Sequence, residues 1–272
     1  MHKSSLEITI LCDNYVDKPM LVSEHGFSCL IRYNDVNILF DSGQGPAIKN
    51  NFGLIKDKKI DFAVLSHGHY DHANGFLNFQ NIDLNIYTHK NVFSEHLRRR
   101  DDAFDYIGLD KNILKMENIK FILNEDFTEV ANNVYLSGSV PRYVDFDADE
   151  NLFMKTLSGY VKDFFPDEQY LGIKTDKGLV IFTGCSHCGI ENILIDARKK
   201  FGDVNIYALI GGFHLFRSKT EEVSRIANLL NNSGITKVIT GHCTGVDAYY
   251  ILKEMLKEKI YFSKVGLKFK IV

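Results

Sequence analysis

The sequence predicts an α/β fold, and three observations carry that expectation. Strand-like and helix-like segments alternate along the chain, four of the strands run into a histidine, and no low-complexity linker, repeat or long like-charge run divides residues 1–272. One domain is therefore expected. With 272 residues, 45% of them hydrophobic and 25% charged, there is apolar material for one large core or two modest ones.

Leu6–Cys12, Ser28–Tyr33 and Val36–Phe40 read as strands, and Tyr33-Asn34-Asp35 supplies turn residues for a hairpin between the second and third. A short apolar strand over 60–66 stops in the polar run Ser66-His67-Gly68-His69-Tyr70-Asp71-His72, with a short helix through Phe79 after it. Strand 178–183 ends at Gly184-Cys185-Ser186-His187 and gives way to an amphipathic helix, Ile190–Phe201. Strand 204–210 runs into Gly211-Gly212-Phe213-His214 and strand 236–240 into Gly241-His242-Cys243; helices over 219–231 and 246–258 follow them, and 265–271 reads as a closing strand. In sheets sandwiched by helices the residues just past strand ends form the ligand crevice, so these four clusters are expected to converge. The stretch 138–170 is acidic, weakly periodic and aromatic (Tyr143, Phe146, Phe153, Tyr160, Phe164, Phe165 and Tyr170), which reads as a lid inserted in the domain.

Composition excludes several classes. Lys and Arg total 32 against 35 for Asp and Glu, a formal charge of -3, so no basic excess points to nucleic acid or a membrane surface. No apolar stretch approaches the roughly 20 residues that cross a bilayer. The start opens onto a run carrying Glu7 where a signal peptide would be apolar, and a cytoplasmic location is expected. Five cysteines (Cys12, Cys29, Cys185, Cys188, Cys243) are an odd number in a long chain, which favours thiol packing or metal ligation over a disulfide framework.

Three of the ten histidines, His67, His69 and His72, fall within six residues, with Asp71 beside the last. Imidazole nitrogens and carboxylate oxygens are donors that Zn, Fe and Mn accept, and two ligands two apart in an extended segment point the same way. His67 and His69 can grip one ion. After a turn, Asp71 and His72 can address a second. Exposed histidines at a polar helix start are the bland alternative, and four donors in six residues weigh against it. His214 follows two glycines that would let a bound group approach, and its imidazole could give substrate a proton or a hydrogen bond; a histidine satisfied by a buried carbonyl is the alternative. His2, His89 and His96 read as surface or packing residues.

The run Ser66 to His72 resembles the HxHxDH signature of the metallo-β-lactamase superfamily. That resemblance implies a four-layered αββα sandwich with mixed sheets over nearly the whole chain, and a metal site at one edge of the sheets. It implies His67 and His69 as ligands of a first metal, Asp71 and His72 of a second, and His242 as the final histidine on the second. Asp41, in Phe40-Asp41-Ser42-Gly43, matches the early aspartate that supports the ligand loop. Two positions depart from the common pattern. The strand end that usually carries a further histidine reads Leu136-Ser137-Gly138-Ser139-Val140-Pro141-Arg142, and the usual bridging aspartate is replaced by Cys185. His187, two residues on, is the substitute for the missing histidine; a Cys185 thiolate could ligate or bridge, or the side chain could simply pack.

More narrowly, His25-Gly26-Phe27-Ser28, Phe40 to Gln44, Gly184 to His187, Gly211 to Leu215 and Gly241 to Gly245 resemble the 7,8-dihydropterin-6-methyl-4-(β-D-ribofuranosyl)aminobenzene-5'-phosphate synthase subgroup. The resemblance implies two divalent ions, zinc foremost with Mn, Fe or Mg as alternatives, and a hydroxide generated between them near neutral pH. Asp71 would orient it while His214 helps to stabilise charge on the attacked oxygen. Hydrolysis of an ester, thioester, lactam or phosphodiester would fit. The subgroup points instead to transfer, with a diphosphate leaving as a dihydropterin methylene joins an aminobenzene riboside. Arg142 could then pair with phosphate and the aromatics of 138–170 stack on a pterin-like ring; an exposed arginine and lid packing are the plain alternatives. The expected partner is a small molecule, with a homo-oligomer also compatible. A noncatalytic metal-binding or sensing module stays open, whereas a flavodiiron-type oxidoreductase is disfavoured because that relative carries glutamate where His69 stands.

Overall fold

Alternation along the strands builds two packed sheets. In Ser28–Tyr33, Cys29 and Ile31 face one core and Leu30 another; in Val36–Phe40, Ile38 and Phe40 join the first and Leu39 the second. The hairpin joining them has Asn34 in the left-handed region, as its turn requires. The computed structural model describes residues 5–271, so His2 lies outside the described residues.

The first sheet runs Lys268–Ile271, Leu6–Cys12, Ser28–Tyr33, Val36–Phe40, Phe62–Val64, Leu84–His89, Ile119–Asn124, antiparallel as far as Val36–Phe40 and parallel beyond. The second runs Ile260–Phe262, Lys237–Thr240, Ile206–Ile210, Gly178–Phe182, Leu171–Thr175, Val134–Leu136, Thr128–Ala131, parallel over its first four strands and antiparallel after. Their inner faces share one core, in which Ile8, Ile31, Phe40 and Val64 meet Leu136, Ile173, Phe182 and Ile210. Helices Ile190–Phe201, Thr220–Asn232 and Val246–Leu256 bury the outer face of the second sheet. Helix Pro46–Gly53 and the 3₁₀ turn Asn74–Asn78 cover the first. The four layers are thus α, β, β and α.

Parallel strands matter for the site, because their carboxyl ends all reach one edge. Val36–Phe40 and Phe62–Val64 deliver Asp41 and the His67 to His72 loop there. Gly178–Phe182, Ile206–Ile210 and Lys237–Thr240 deliver Cys185 and His187, His214, and His242. Strand Phe62–Val64 is shorter than the 60–66 expected, since Ser66 turns its N–H to the Asp41 carboxylate instead of to a ladder.

The stretch 138–170 does hold regular structure, contrary to its weak periodicity. Its hairpin, Leu152–Thr156 with Gly159–Lys162, pairs with Glu95–Arg100 and so with Ala103–Tyr106 in a third, four-stranded sheet. Much of this sheet is exposed or half-buried, so no strict apolar alternation is imposed on its sequence. Among the described residues no helix is long and apolar enough to cross a membrane.

Candidate metal centre

The first ligand loop is oriented from beneath by Asp41. Its carboxylate accepts Ser66 N–H at 2.7 Å, Ser66 Oγ–H at 2.8 Å and His72 Nδ1–H at 2.7 Å. Because the Ser66 hydroxyl gives its proton to Asp41, His67 Nδ1, 2.9 Å from Ser66 Oγ, is the donor in that contact, and His67 Nε2 keeps its lone pair. His72 Nε2 is left bare in the same way. His69 sits in extended backbone at the head of the short helix Tyr70–Ala73, which carries Asp71 and His72 onward.

The second sheet supplies the opposite wall. His242 Nδ1 lies 3.0 Å from Asn14 Oδ1, which turns its Nε2 toward Asp71 and His72. Asp41, Ser186, His214 and His242 all adopt positive φ, from 45° to 57°, an unfavourable conformation for residues with a Cβ. Strain of this kind gathers at sites where surrounding structure dictates side-chain direction.

Among the described residues, two of five donor sets join Cys185 to the expected metal-binding histidines. His67, Cys185 and His187 place donor atoms within 4.8 Å of one another, and His72, Cys185 and His242 do the same, so Cys185 belongs to both. The rings of His67, His69 and His187 stand 4.6 to 4.9 Å apart by centroid. On the other side Asp71 Oδ2 lies 3.3 Å from His242 Nε2 and 3.9 Å from His72 Nε2. His25 Nε2 approaches the same oxygen at 3.1 Å.

These residues fit metal ions. His67 Nε2, His69 Nε2 and both ring nitrogens of His187 are buried without a hydrogen-bond partner, a cost that native interiors avoid. His72 Nε2 and His242 Nε2, both with their protons committed at Nδ1, face each other at 3.3 Å. Two nitrogens bound to one tetrahedral zinc at about 2.0–2.1 Å must also lie about 3.3 Å apart. Burial, reinforced by neighbouring histidines, holds His67, His69 and His187 well below the usual imidazole range, so they are neutral imidazoles, the form a metal ion accepts. Burial also pulls His242 down to about 4 and His214 down to about 3. His72 goes the other way: burial lowers it, but Asp71 and Asp41 more than offset that. Burial would raise Asp71, yet His72, His242 and His25 hold it well below the carboxylate range. Burial, then Cys243 and Asp71, push the Cys185 thiol far up, so its deprotonation calls for a cation beside it.

A support layer that the sequence did not disclose holds both loops. Asp167 accepts Gly68 N–H at 2.7 Å, between the two histidines of the first loop. Glu168 accepts His187 N–H at 2.7 Å and Cys188 N–H at 2.6 Å, and Gln169 donates to Leu65 O at 3.0 Å. Asp13, pushed up to about 7 by burial, accepts His242 N–H and the Ser263 hydroxyl. His96 is no surface residue. It lies buried 2.6 Å from Asp163 and 3.2 Å from Asp167, and although burial lowers it, those carboxylates push it up to about 10. His89 is buried as well, 2.8 Å from Ser139 Oγ. The one sequence signal for this layer is the unbroken acidic and amide run Asp167-Glu168-Gln169, one residue short of the strand Leu171–Thr175.

A cavity of about 760 Å³ opens over the centre, with His69, Asp71, Cys185, His187, His214 and His242 among its lining residues. His214 has both ring nitrogens buried without a partner, which disposes of the buried-carbonyl alternative. Arg142 is placed elsewhere: its guanidinium donates to the carbonyls of Phe146, Phe164 and His187 and does not line this cavity. The aromatics of 138–170 do not line it either. Phe165 stacks on His187 at 3.9 Å, and Tyr170 is fully buried with its hydroxyl on Asp196. Tyr70 and Phe216 are the aromatic rings in the lining.

Two facing sheets between helix layers, with ligand loops from both sheets at one edge, are the architecture of a metal-dependent fold. The Metallo-beta-lactamase superfamily matches residues 24–242, and the chain belongs to that superfamily. It is 33% identical over 257 residues to the uncharacterized protein MJ0448 of Methanocaldococcus jannaschii, covering 91% of this chain and 94% of the relative. It is 32% identical over 253 residues to the 7,8-dihydropterin-6-methyl-4-(beta-D-ribofuranosyl)-aminobenzene-5'-phosphate synthase of the same organism, covering 87% and 86%. Among solved structures it superposes on Tm1679, described as a metal-dependent hydrolase of the beta-lactamase superfamily, with a TM-score of 0.87, 33% identity and coverage of 98% and 99%.

Proposed function

We propose that this chain is an enzyme that holds two divalent metal ions and hydrolyses a phosphorylated or ester-bearing small molecule. His67, His69 and His187 would hold one ion, Asp71, His72 and His242 the other, with Cys185 within reach of both. The observation that carries this reading is the pair of buried donor sets, one shared thiol between them, at the floor of an open cavity. Nitrogen and sulfur donors favour zinc. When bound, such ions supply Lewis acidity and bring the deprotonation of water close to neutral pH.

The chain's own residues do the rest. Asp71, charged and steadied by His25, can accept a hydrogen bond from an attacking water and so aim it. His214, neutral and unpartnered, can donate a ring N–H to an oxygen on which negative charge grows. Tyr70 and Phe216 wall the cavity and exclude bulk water from part of it.

A second reading has its own support, the 32% identity to the pterin-aminobenzene synthase across most of both chains. In that case the same centre would serve a transferase with a phosphorylated, pterin-like substrate. Elemental analysis followed by turnover of a phosphodiester, thioester and lactam panel tests the hydrolytic reading. Turnover that requires an added aromatic amine acceptor would mark transfer instead. His69→Ala is expected to lose bound metal and turnover together, by at least about 100-fold, the upper end of what losing even an outer-shell partner costs. Full activity in a demetallated variant would overturn the reading.

A further inference from the structure

Three residues from separate parts of the chain meet on the cavity wall. Arg98 lies on Glu95–Arg100 of the small sheet, Asp149 just before Leu152–Thr156, and Arg217 three residues beyond His214. Both guanidiniums donate to one oxygen, Asp149 Oδ2: Arg98 Nη2 at 3.0 Å and Arg217 Nη1 at 3.1 Å. The other oxygen accepts the backbone N–H and side-chain amide of Asn151 at 2.9 and 3.2 Å. The Asp149 side chain is only 2% exposed, whereas those of Arg98 and Arg217 are 26% and 51% exposed, and both arginines line the cavity that holds the metal centre.

One arginine would suffice to satisfy Asp149. The second leaves the trio with one net positive charge, at a cavity wall in a chain whose overall charge is negative. Each guanidinium carries five N–H donors in a rigid fork, and Asp149 engages one from each. The remaining donors are held in place and free for a ligand with several anionic oxygens. Arg217 is further fixed by its stacking over Phe216, 5.2 Å from the ring centroid. The neighbouring Arg100 is already paired with Asp105 at 2.7 Å.

We propose that Arg98 and Arg217, braced by Asp149, form the subsite that captures the phosphate group of the small molecule processed at the metal centre. This rests on the reading of that centre as one acting on a phosphorylated substrate. A phosphate rather than a carboxylate is the fitting ligand, because two forks can engage three oxygens where a carboxylate offers two. The phosphate role that the sequence suggested for Arg142 thereby passes to residues of the small sheet and the His214 loop.

The test is calorimetric titration of phenyl phosphate, with benzoate as the carboxylate control, into the full chain both metal-loaded and chelator-treated. Phenyl phosphate is expected to bind the chelated protein, more weakly as salt rises, and Arg217→Gln and Arg98→Gln should each weaken it about tenfold or more, as loss of a hydrogen bond to a charged group does. Should Arg98→Gln unfold the small sheet, the half-exposed Arg217→Gln still decides the matter. Binding unchanged in Arg217→Gln, benzoate binding as tight as phenyl phosphate, or phosphate binding that vanishes with the metal would each overturn the subsite. Retained, arginine-dependent binding in a protein with no metal-dependent turnover would support the subsite and sink the hydrolytic reading instead.

Discussion

Cys185 stands where both donor sets meet, at the position where the resemblance to the superfamily's common pattern implies a bridging aspartate. A carboxylate there would offer two oxygens; a thiolate offers one soft atom and so biases the centre toward zinc over magnesium. Its burial and raised pKa mean that only a cation makes it a ligand, which separates ligation from mere packing. Reconstituted with cobalt, the wild-type protein is expected to show a thiolate charge-transfer band in the near ultraviolet that Cys185→Ser lacks, together with metal affinity lowered at least about tenfold. An identical spectrum and metal content would retire the thiolate. Residues of this kind were legible because the signal is local: four donors in six residues, or a cysteine and a histidine two apart at a strand end. Asn14, Asp13 and Glu168 were not, since each acts by accepting from a residue far along the chain, His242 for the first two and His187 for the third. Arg142 misled for the same reason, its charge being absorbed by carbonyls that only the folded chain brings near it.

At the level of elements, strands Leu6–Cys12, Ser28–Tyr33 and Val36–Phe40 and helix Ile190–Phe201 follow their patterns to the residue, because each buries one face or both against a layer that demands it. The small sheet escaped because Glu95–Arg100 reads Glu-His-Leu-Arg-Arg-Arg and fills no such layer. Its sequence answers to the cavity and to His96, not to a core. The segment that returns from it, Asp167-Glu168-Gln169, is the brace between the ligand loops, with Glu168 holding two backbone N–H groups of the second. Glu168→Gln keeps the volume but turns one acceptor into a donor facing an N–H. A loss of about 1–3 kcal/mol in stability is expected from the unmet donor, and metal affinity should fall roughly 10- to 100-fold as His187 loosens. Thermal melts and competitive metal titration measure the two separately. Wild-type values in both would show that the brace is dispensable.

Across the whole molecule, His67, His69, Asp71 and His72 come from the first sheet, while Cys185, His187 and His242 come from the second. An ion shared between them would tie together the open edge of a sandwich otherwise held by the apolar core between the sheets and by hydrogen bonds such as those of Asp13 with His242 and of Gln169 with Leu65. Metal binding would therefore be coupled to the stability of the whole chain and not to one loop. An ion present at about 1,000 times its Kd stabilises the native state by about 4 kcal/mol. For a chain of this size each kcal/mol is worth roughly 2–4 °C in Tm, so chelation should lower the melting temperature by roughly 10 °C. The same chelator should shift His69→Ala far less, because part of the tie is already cut. If the metal-loaded wild type melted within a degree of its chelated form, ions would be bound at one loop without joining the sheets. The two donor sets would then not act as one centre.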